Sequence, residues 1–216
     1  MCYKPFMNSQ PGAGATRLGV LASGRGSNLQ ALLDAQDSGA LRGRISVVIS
    51  DRADARALER ARRHKVEAVF LDPGSPRARL ALEAEGKILE CLRRREVEWL
   101  VLAGFFRIIG PVLLEAFPDR ILNIHPSLLP SFPGLHAQRQ ALEHGVKVAG
   151  CTVHLVQAAV DQGPILLQAC VPVLDGDTEE TLSDRILEQE HHILVEAVNR
   201  IATRPFRLDG RMVRWL

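Results

Sequence analysis

RLGVLASGRGSNLQALLDAQDSG, residues 17–39, passes from apolar to glycine-rich to amphipathic without a break. RLGVLAS is short, apolar and followed by glycine, which predicts a buried strand. NLQALLDAQDSG carries its apolar residues near helical spacing until Gly39 stops the pattern. The intervening SGRGSNL (23–29) lets the backbone approach an anion, and a helix start presents unpaired N–H groups with partial positive charge. Ser27 and Asn28 add side-chain donors. Leu29 stands where the third glycine of the dinucleotide fingerprint would fall, and no GK[ST] follows, which excludes the nucleoside-triphosphate loop. A phosphate monoester site is therefore the leading reading, ahead of a dinucleotide site or a turn without ligand.

The same rhythm continues downstream. RISVVISD (44–51), VEAVFLD (66–72), VEWLVLAG (97–104) and RILN (120–123) read as strands; ADARALERARRH (53–64) and PRARLALEAEGKILECLRRR (76–95) read as helices. Strands alternating with helices predict an α/β fold whose open, twisted, mostly parallel sheet is flanked by helices. After residue 145 the rhythm changes. VKVAGCTVHLV and GPILLQACVPV, separated by QAAVDQG, predict a hairpin or adjacent strands that extend the sheet with antiparallel pairing. TEETLSDRILEQEHHILVEAVNRIA (178–202) reads as one long helix with Thr178 as N-cap and acidic residues in its first turn. Residues 1–16 read as a flexible tail and 17–202 as one domain, with a soft boundary near 120 inside a shared sheet. Residues 203–216 form a C-terminal tail whose RMVRWL is either an edge strand or loose.

Composition narrows the function classes. The 216 residues are 46% hydrophobic and 24% charged, as in ordinary globular chains. A net charge of +2 from 27 basic and 25 acidic residues gives no bulk field for nucleic acid or an anionic membrane. The run RRRE (93–96) reads as the solvated end of a helix. Cys2, Cys91, Cys151 and Cys170 lie far apart without a CxxC pair, which argues against a metal site or disulfide scaffold and for the cytoplasm. No stretch approaches the roughly 18 consecutive apolar residues of a membrane span, and the first residues lack the apolar core of a signal peptide.

The chemistry centres on LNIHPSLLPSFPG (122–134), where Asn123 and His125 end the fifth strand before a proline-punctuated loop. Ligands of open parallel sheets sit beyond the carboxyl ends of the strands, where the glycine loop also lies. Asp161 falls in the turn QAAVDQGP. Alone, each has a plain reading: Asn123 and His125 as loop caps, Asp161 as a turn residue. Around one crevice they form a chemical set. The amide donates to a developing oxyanion, the imidazole exchanges protons near neutrality, and the carboxylate orients and favours its charged form. That set suits acyl transfer without a covalent enzyme intermediate. Ser127 suggests a Ser/His/Asp hydrolase, but it is not in a GxSxG elbow and Pro126 beside it points to a loop-shaping hydroxyl. Asp51, at the end of the second strand, mimics a ribose-binding acid.

SGRGSNLQAL, VLAGFFRII, LNIHPSLLPSFPGLHAQRQAL, VDQGPILLQ and EQEHH, in this order and spacing, closely resemble the glycinamide ribonucleotide transformylases, which use 10-formyltetrahydrofolate. The resemblance runs from about residue 17 to about 202. It implies a Rossmann-like formyltransferase fold, small-molecule substrates (glycinamide ribonucleotide and the formyl-folate) and no metal. Asn123, His125 and Asp161 match the catalytic trio; Gly24, Arg25, Gly26, Ser27 and Asn28 match the phosphate loop; Glu190 matches a carboxylate that contacts the ribonucleotide. Phe105, Phe106, Arg107, Ile108 and Ile109 match the folate-lining segment, with Phe106 where the family often has Met. Ala158, Ala159 and Val160, leading to Asp161, would complete the pteridine pocket. Arg77 and Arg79 compete for one further basic position on the folate side, and Arg79 is taken.

The nearest alternative is a formyltetrahydrofolate deformylase, which uses the same trio with water as acceptor. Relatives of that kind usually carry an extra N-terminal domain, and only about 16 residues precede the first strand here. A methionyl-tRNA formyltransferase implies a C-terminal RNA-binding domain and more basic charge. A non-enzymatic folate or nucleotide sensor would not require His125 and Asp161 together. Apolar faces on the early helices leave a homodimer open.

Overall fold

The computed structural model describes residues 15–75 and 78–216. Residues 1–14 of the expected tail at 1–16, Cys2 among them, and Arg77 lie outside the described residues, while Thr16 already belongs to the first strand. Five strands come first: β1 (Thr16–Leu21), β2 (Gly43–Ser50), β3 (Glu67–Phe70), β4 (Trp99–Leu102) and β5 (Ile121–His125). Then follow β6 (Val148–Leu155), β7 (Ile165–Pro172), β8 (Phe206–Asp209) and β9 (Met212–Trp215). They make one sheet in the order β3-β2-β1-β4-β5-β6-β7-β9-β8. β1 to β5 pair in parallel, whereas β6 runs antiparallel to β5 and β7 to β6, as the change of rhythm after residue 145 predicted.

Helices cover both faces. On one side α1 (Ser27–Asp37), α2 (Arg56–Arg63) and α6 (Glu179–Thr203) bury Leu18, Val20, Leu32, Leu58, Leu194 and Val198 in a single cluster. On the other, α3 (Leu82–Arg93) and α4 (Pro111–Ala116) pack Ile88, Leu92 and Leu113 on Leu21, Ile49, Leu100 and Leu102. Successive strand residues face opposite layers, so both faces of a central strand must be apolar, which is why these strands lack a polar alternation. Gly19 is fixed by that packing: a Cβ there would lie 2.5 Å from Leu92 Cδ2. α6 opens with Thr178, which accepts from the Thr181 N–H while Thr181 returns a bond to the Thr178 N–H.

Three features depart from the sequence expectation. The helix expected from residue 76 begins only at Leu82, because Arg79 forms a β-bridge with Ile108 and the Ala81 N–H donates to Pro73 O. α4 and α5 (Ala137–Glu143) carry no readable period, since they span only six and seven residues. α4 depends on a tertiary cap: fully buried Glu85 on α3 accepts from the Val112 N–H at 3.0 Å.

The C-terminal segment is an edge hairpin. β9 joins β7 at Met212↔Ile165 and β8 lies outside it. Phe206 anchors the hairpin, fully buried between Trp99 (centroids 6.3 Å apart) and Trp215 (5.6 Å). Phe206→Ala is expected to cost about 3–5 kcal/mol, as for other buried Phe truncations; urea denaturation would register it as a fall in midpoint with an unchanged slope.

Candidate active site

β1 and β4 end level with one another, and β5 runs two residues further, to His125. Leu21 pairs with Leu102, and Leu102 with Asn123. Beyond that edge lies a cavity of about 920 Å³. Gly24 to Asn28 form one wall, Phe105 to Ile109 a second, and Asn123, His125, Val160 and Asp161 the floor, with Glu190 contributed by α6. The first two walls are joined: the Ser23 N–H donates to Gly104 O at 2.9 Å, and Ser23 Oγ accepts from the Phe106 N–H at 2.9 Å.

In the glycine loop, Gly26 is the N-cap of α1 with φ 71°, and no side chain caps the helix. The first N–H groups of α1 are therefore open toward the cavity side, the arrangement that attracts anions. Asn28 Nδ2 donates to Glu190 Oε2 at 2.7 Å, across 162 residues of chain, and both residues are buried. Asn28 Oδ1 has no partner among the described residues. Burial pushes the Glu190 carboxyl up, and the bond from Asn28 only partly offsets it.

At the floor, buried His125 hydrogen-bonds Phe132 O through Nε2 at 2.9 Å, and its Nδ1 lies 3.5 Å from Asp161 Oδ2. A carbonyl only accepts, so Nε2 carries a proton and Nδ1 is the nitrogen turned to the carboxylate. Asp161 sits at φ 54°, in the left-handed region that Asp tolerates better than most residues. Burial opposes its ionisation. The His154 ring, the Gly134 N–H (2.8 Å) and the His125 ring together outweigh burial and hold its carboxyl below the usual range.

His154 is the residue that sequence reasoning missed. Its Nδ1 donates to Leu155 O at 2.9 Å; in the neutral ring Nε2 accepts from Asn123 Nδ2 at 3.0 Å, and in the charged ring the Nε2 proton faces Asp161 Oδ1 at 3.6 Å. The Asn123 amide is thereby turned so that its second N–H remains for another acceptor. His154 pairs directly with Asn123 across β5 and β6, and a lone His within the apolar run VKVAGCTVHLV was the available signal. Ser183 and Leu187 also line the cavity; with Glu190 they follow i, i+4, i+7 spacing on one face of α6.

Other expected residues lie elsewhere. Ala158 and Ala159 are exposed beside the Val160–Asp161 turn and do not line the cavity. Arg79 is exposed and also outside the lining, and it meets the Phe105–Ile109 segment through its bridge to Ile108. Arg107 lines the cavity, but its Nε donates to Asp51 Oδ2 at 2.7 Å and NH1 to Ser75 O at 3.1 Å. Asp51 is thus the partner of a cavity-wall arginine. Ser127 Oγ donates to Ser131 O at 2.6 Å, a loop tie. Among the described residues no group of three His, Cys, Asp or Glu is arranged to hold a metal ion, and no helix is long and apolar enough to cross a membrane.

The floor offers an oriented amide donor, an imidazole with a carboxylate and an adjacent anion loop, a constellation for moving a carbonyl-bearing group onto an anionic acceptor. Residues 16–198 match the formyl transferase family model, and the chain belongs to that family. It is 46% identical over 201 residues to phosphoribosylglycinamide formyltransferase of Mycobacterium tuberculosis, covering 93% of this chain and 92% of that one. Its structure is similar to the crystal structure of glycinamide ribonucleotide transformylase 1 from Symbiobacterium toebii, with a TM-score of 0.88 and 57% identity over 93% of this chain and 94% of that one. It is also 43% identical over 203 residues to the trifunctional purine biosynthetic protein adenosine-3 of Drosophila pseudoobscura pseudoobscura. That match covers 93% of this chain and spans only 14% of the longer protein.

Glu190→Gln tests the electrostatics. Because the folded-state pKa of Glu190 is raised, wild-type stability is full below the ordinary glutamate value and falls as pH rises through the folded value. The amide cannot ionise, so the variant is expected to melt higher by a few degrees near pH 8. The gap should close toward pH 4 in thermal melts across that range.

Proposed function

We propose that the chain transfers the formyl group of 10-formyltetrahydrofolate to the amine of glycinamide ribonucleotide, a step of purine biosynthesis, in the cytoplasm and without a metal. The observation that carries this reading is the union, in one cavity of about 920 Å³, of the anion loop at Gly24–Asn28 with Asn123, His125 and Asp161. Membership of the formyl transferase family supports it. The cavity also suits both molecules chemically. One end is polar and anion-attracting; the other carries the exposed apolar side chains Phe106 and Val160 beside Ile108 and Ile109, a surface for a flat conjugated ring.

The formyl-folate supplies a formyl group already activated for attack by an amine. The loop amides, with Ser27, hold the acceptor's phosphate, and Glu190, braced by Asn28, holds its ribose. Anchoring at two points places the amine against the formyl carbon, which removes much of the entropic barrier of a bimolecular step. Asn123, with one N–H committed to His154, offers the other to the oxygen on which charge builds. His125 exchanges the proton that the amine loses and the departing nitrogen gains, and Asp161 stabilises the charged ring. Phe105 to Ile109 and Val160 form the folate side of the cavity, with Ala158 and Ala159 shaping the turn and Arg79 as the adjoining cation.

A hydrolase that passes the same formyl group to water is the other reading. The buried Asn28–Glu190 pair speaks against it, because burying a carboxylate is costly and water as acceptor has no hydroxyls or phosphate for that carboxylate and the loop to bind.

A formyl-transfer assay with and without glycinamide ribonucleotide separates the two: formylated ribonucleotide supports the transferase, and free formate at the same rate without acceptor overturns it. His125→Ala is expected to lower kcat by about 10² to 10⁴-fold and Asn123→Ala by about 10² to 10³-fold. Circular dichroism should stay native, and near wild-type turnover in either variant would remove that residue from the mechanism.

A further inference from the structure

The anion loop has two sides. The cavity lies on one and α2 on the other, so close that a Cβ on Gly26 would fall 2.9 Å from Ala57 Cα. On the α2 side two successive loop carbonyls are occupied. Gly24 O accepts from the Ala57 N–H at 3.2 Å, and Arg25 O accepts from Arg60 Nε at 2.9 Å. Gly26 O takes the first helical bond, from the Gln30 N–H at 2.8 Å. A trans peptide points its N–H opposite to its C=O. With both carbonyls drawn to α2, the N–H groups of Arg25 and Gly26 face away from it.

We propose that Arg60 is a positioning residue for the acceptor's phosphate: from behind the loop it fixes the Arg25–Gly26 peptide with its N–H toward the cavity. This rests on the reading that the loop binds the phosphate of glycinamide ribonucleotide. The need for such a brace follows from glycine itself. Gly26 lacks a Cβ and passes readily between backbone basins, so the 25–26 peptide can rotate at small cost. Rotated, it would turn a carbonyl oxygen toward the phosphate oxygens and replace an attraction by a repulsion. The Ala57 N–H does not control this plane, because it binds the preceding carbonyl. Arg60 is itself held. Its NH1 donates to Gln30 Oε1 at 2.7 Å, while the Gln30 amide donates to Asp34 Oδ1 at 2.7 Å and meets His64 Nε2 at 2.9 Å. His64 Nδ1 in turn hydrogen-bonds Asp37 Oδ2 at 2.7 Å. A chain of side chains on α1 and at the end of α2 thus sets the guanidinium that sets the loop.

The test compares wild type, Arg60→Ala and Arg60→Lys with glycinamide ribonucleotide and with its dephosphorylated riboside, alongside calorimetry with inorganic phosphate. In R60A the KM for the ribonucleotide is expected to rise about tenfold, the loss of one hydrogen bond to a charged donor, while kcat and the KM for the formyl-folate hold. The riboside should react equally well with both proteins. R60K should recover part of the loss, since its ammonium reaches the Arg25 carbonyl without the second arm to Gln30. Equal losses with phosphorylated and dephosphorylated acceptors, or an unchanged ribonucleotide KM, overturn the proposal. Should R60A fail to fold, Gln30→Leu, which removes the second acceptor of Arg60, must show the same phosphate-selective rise, and its absence also overturns it. Calorimetry keeps the two readings apart. A wild type that binds inorganic phosphate more tightly than R60A yet transfers no formyl group leaves the role of Arg60 standing and removes the substrate assignment.

Discussion

Parallel pairing of β1, β4 and β5 in a level register is the constraint from which the site follows. Leu21, Leu102 and Asn123 sit side by side across three strands, so the three chain segments leaving those strands start at one edge of the sheet. One is the glycine loop, one the Phe105–Ile109 segment, and one the loop after His125. Slipping a strand by one residue would turn Asn123 and His125 to the opposite face. The apolar layers on both faces make that slip prohibitive, since each strand would exchange its matched neighbours on α1 and α6 for those on α3 and α4.

The site spends stability that these layers supply. Asp161 is held at φ 54° and His136 at φ 59°, both in the left-handed region that costs a residue with a Cβ. Glu190 is a carboxylate buried against a single amide, and Asn28 keeps an oxygen without a partner among the described residues. Such groups persist because surrounding packing over-determines them, and they are where a ligand has most to gain. The same logic explains the two histidines of the floor. Each commits one ring nitrogen to a backbone carbonyl, Phe132 O or Leu155 O, which fixes the ring and leaves the other nitrogen directed at Asp161 or Asn123.

Much of this was legible in the chain. The alternation of apolar runs with helical spacing, the glycine-punctuated turn after the first of them, and the polar pair closing LNIH mark strands, a loop at a helix start and side chains at one cavity without coordinates. What escaped were features made by neighbours distant in sequence. α4 is too short to carry a period, and its first turn is tied by Glu85 from another helix. His154 looks like one polar residue in a strand until β5 is laid beside it. Asp51 resembles a ribose-binding acid until Arg107 is found on it.

By itself the sequence determined the α/β class, the place of the glycine loop between strand and helix, and the change to antiparallel strands after residue 145, because local periodicity and turn chemistry are encoded within a few residues. Only the tertiary structure decided which polar groups meet. Asn28 bonds Glu190 across 162 residues, Arg60 reaches the Arg25 carbonyl from the next helix, and Phe206 turns the C-terminal segment into an edge of the sheet. Hydrogen bonds and close packing act over a few ångströms and are indifferent to separation along the chain, so the pattern of one segment cannot announce its partner in another.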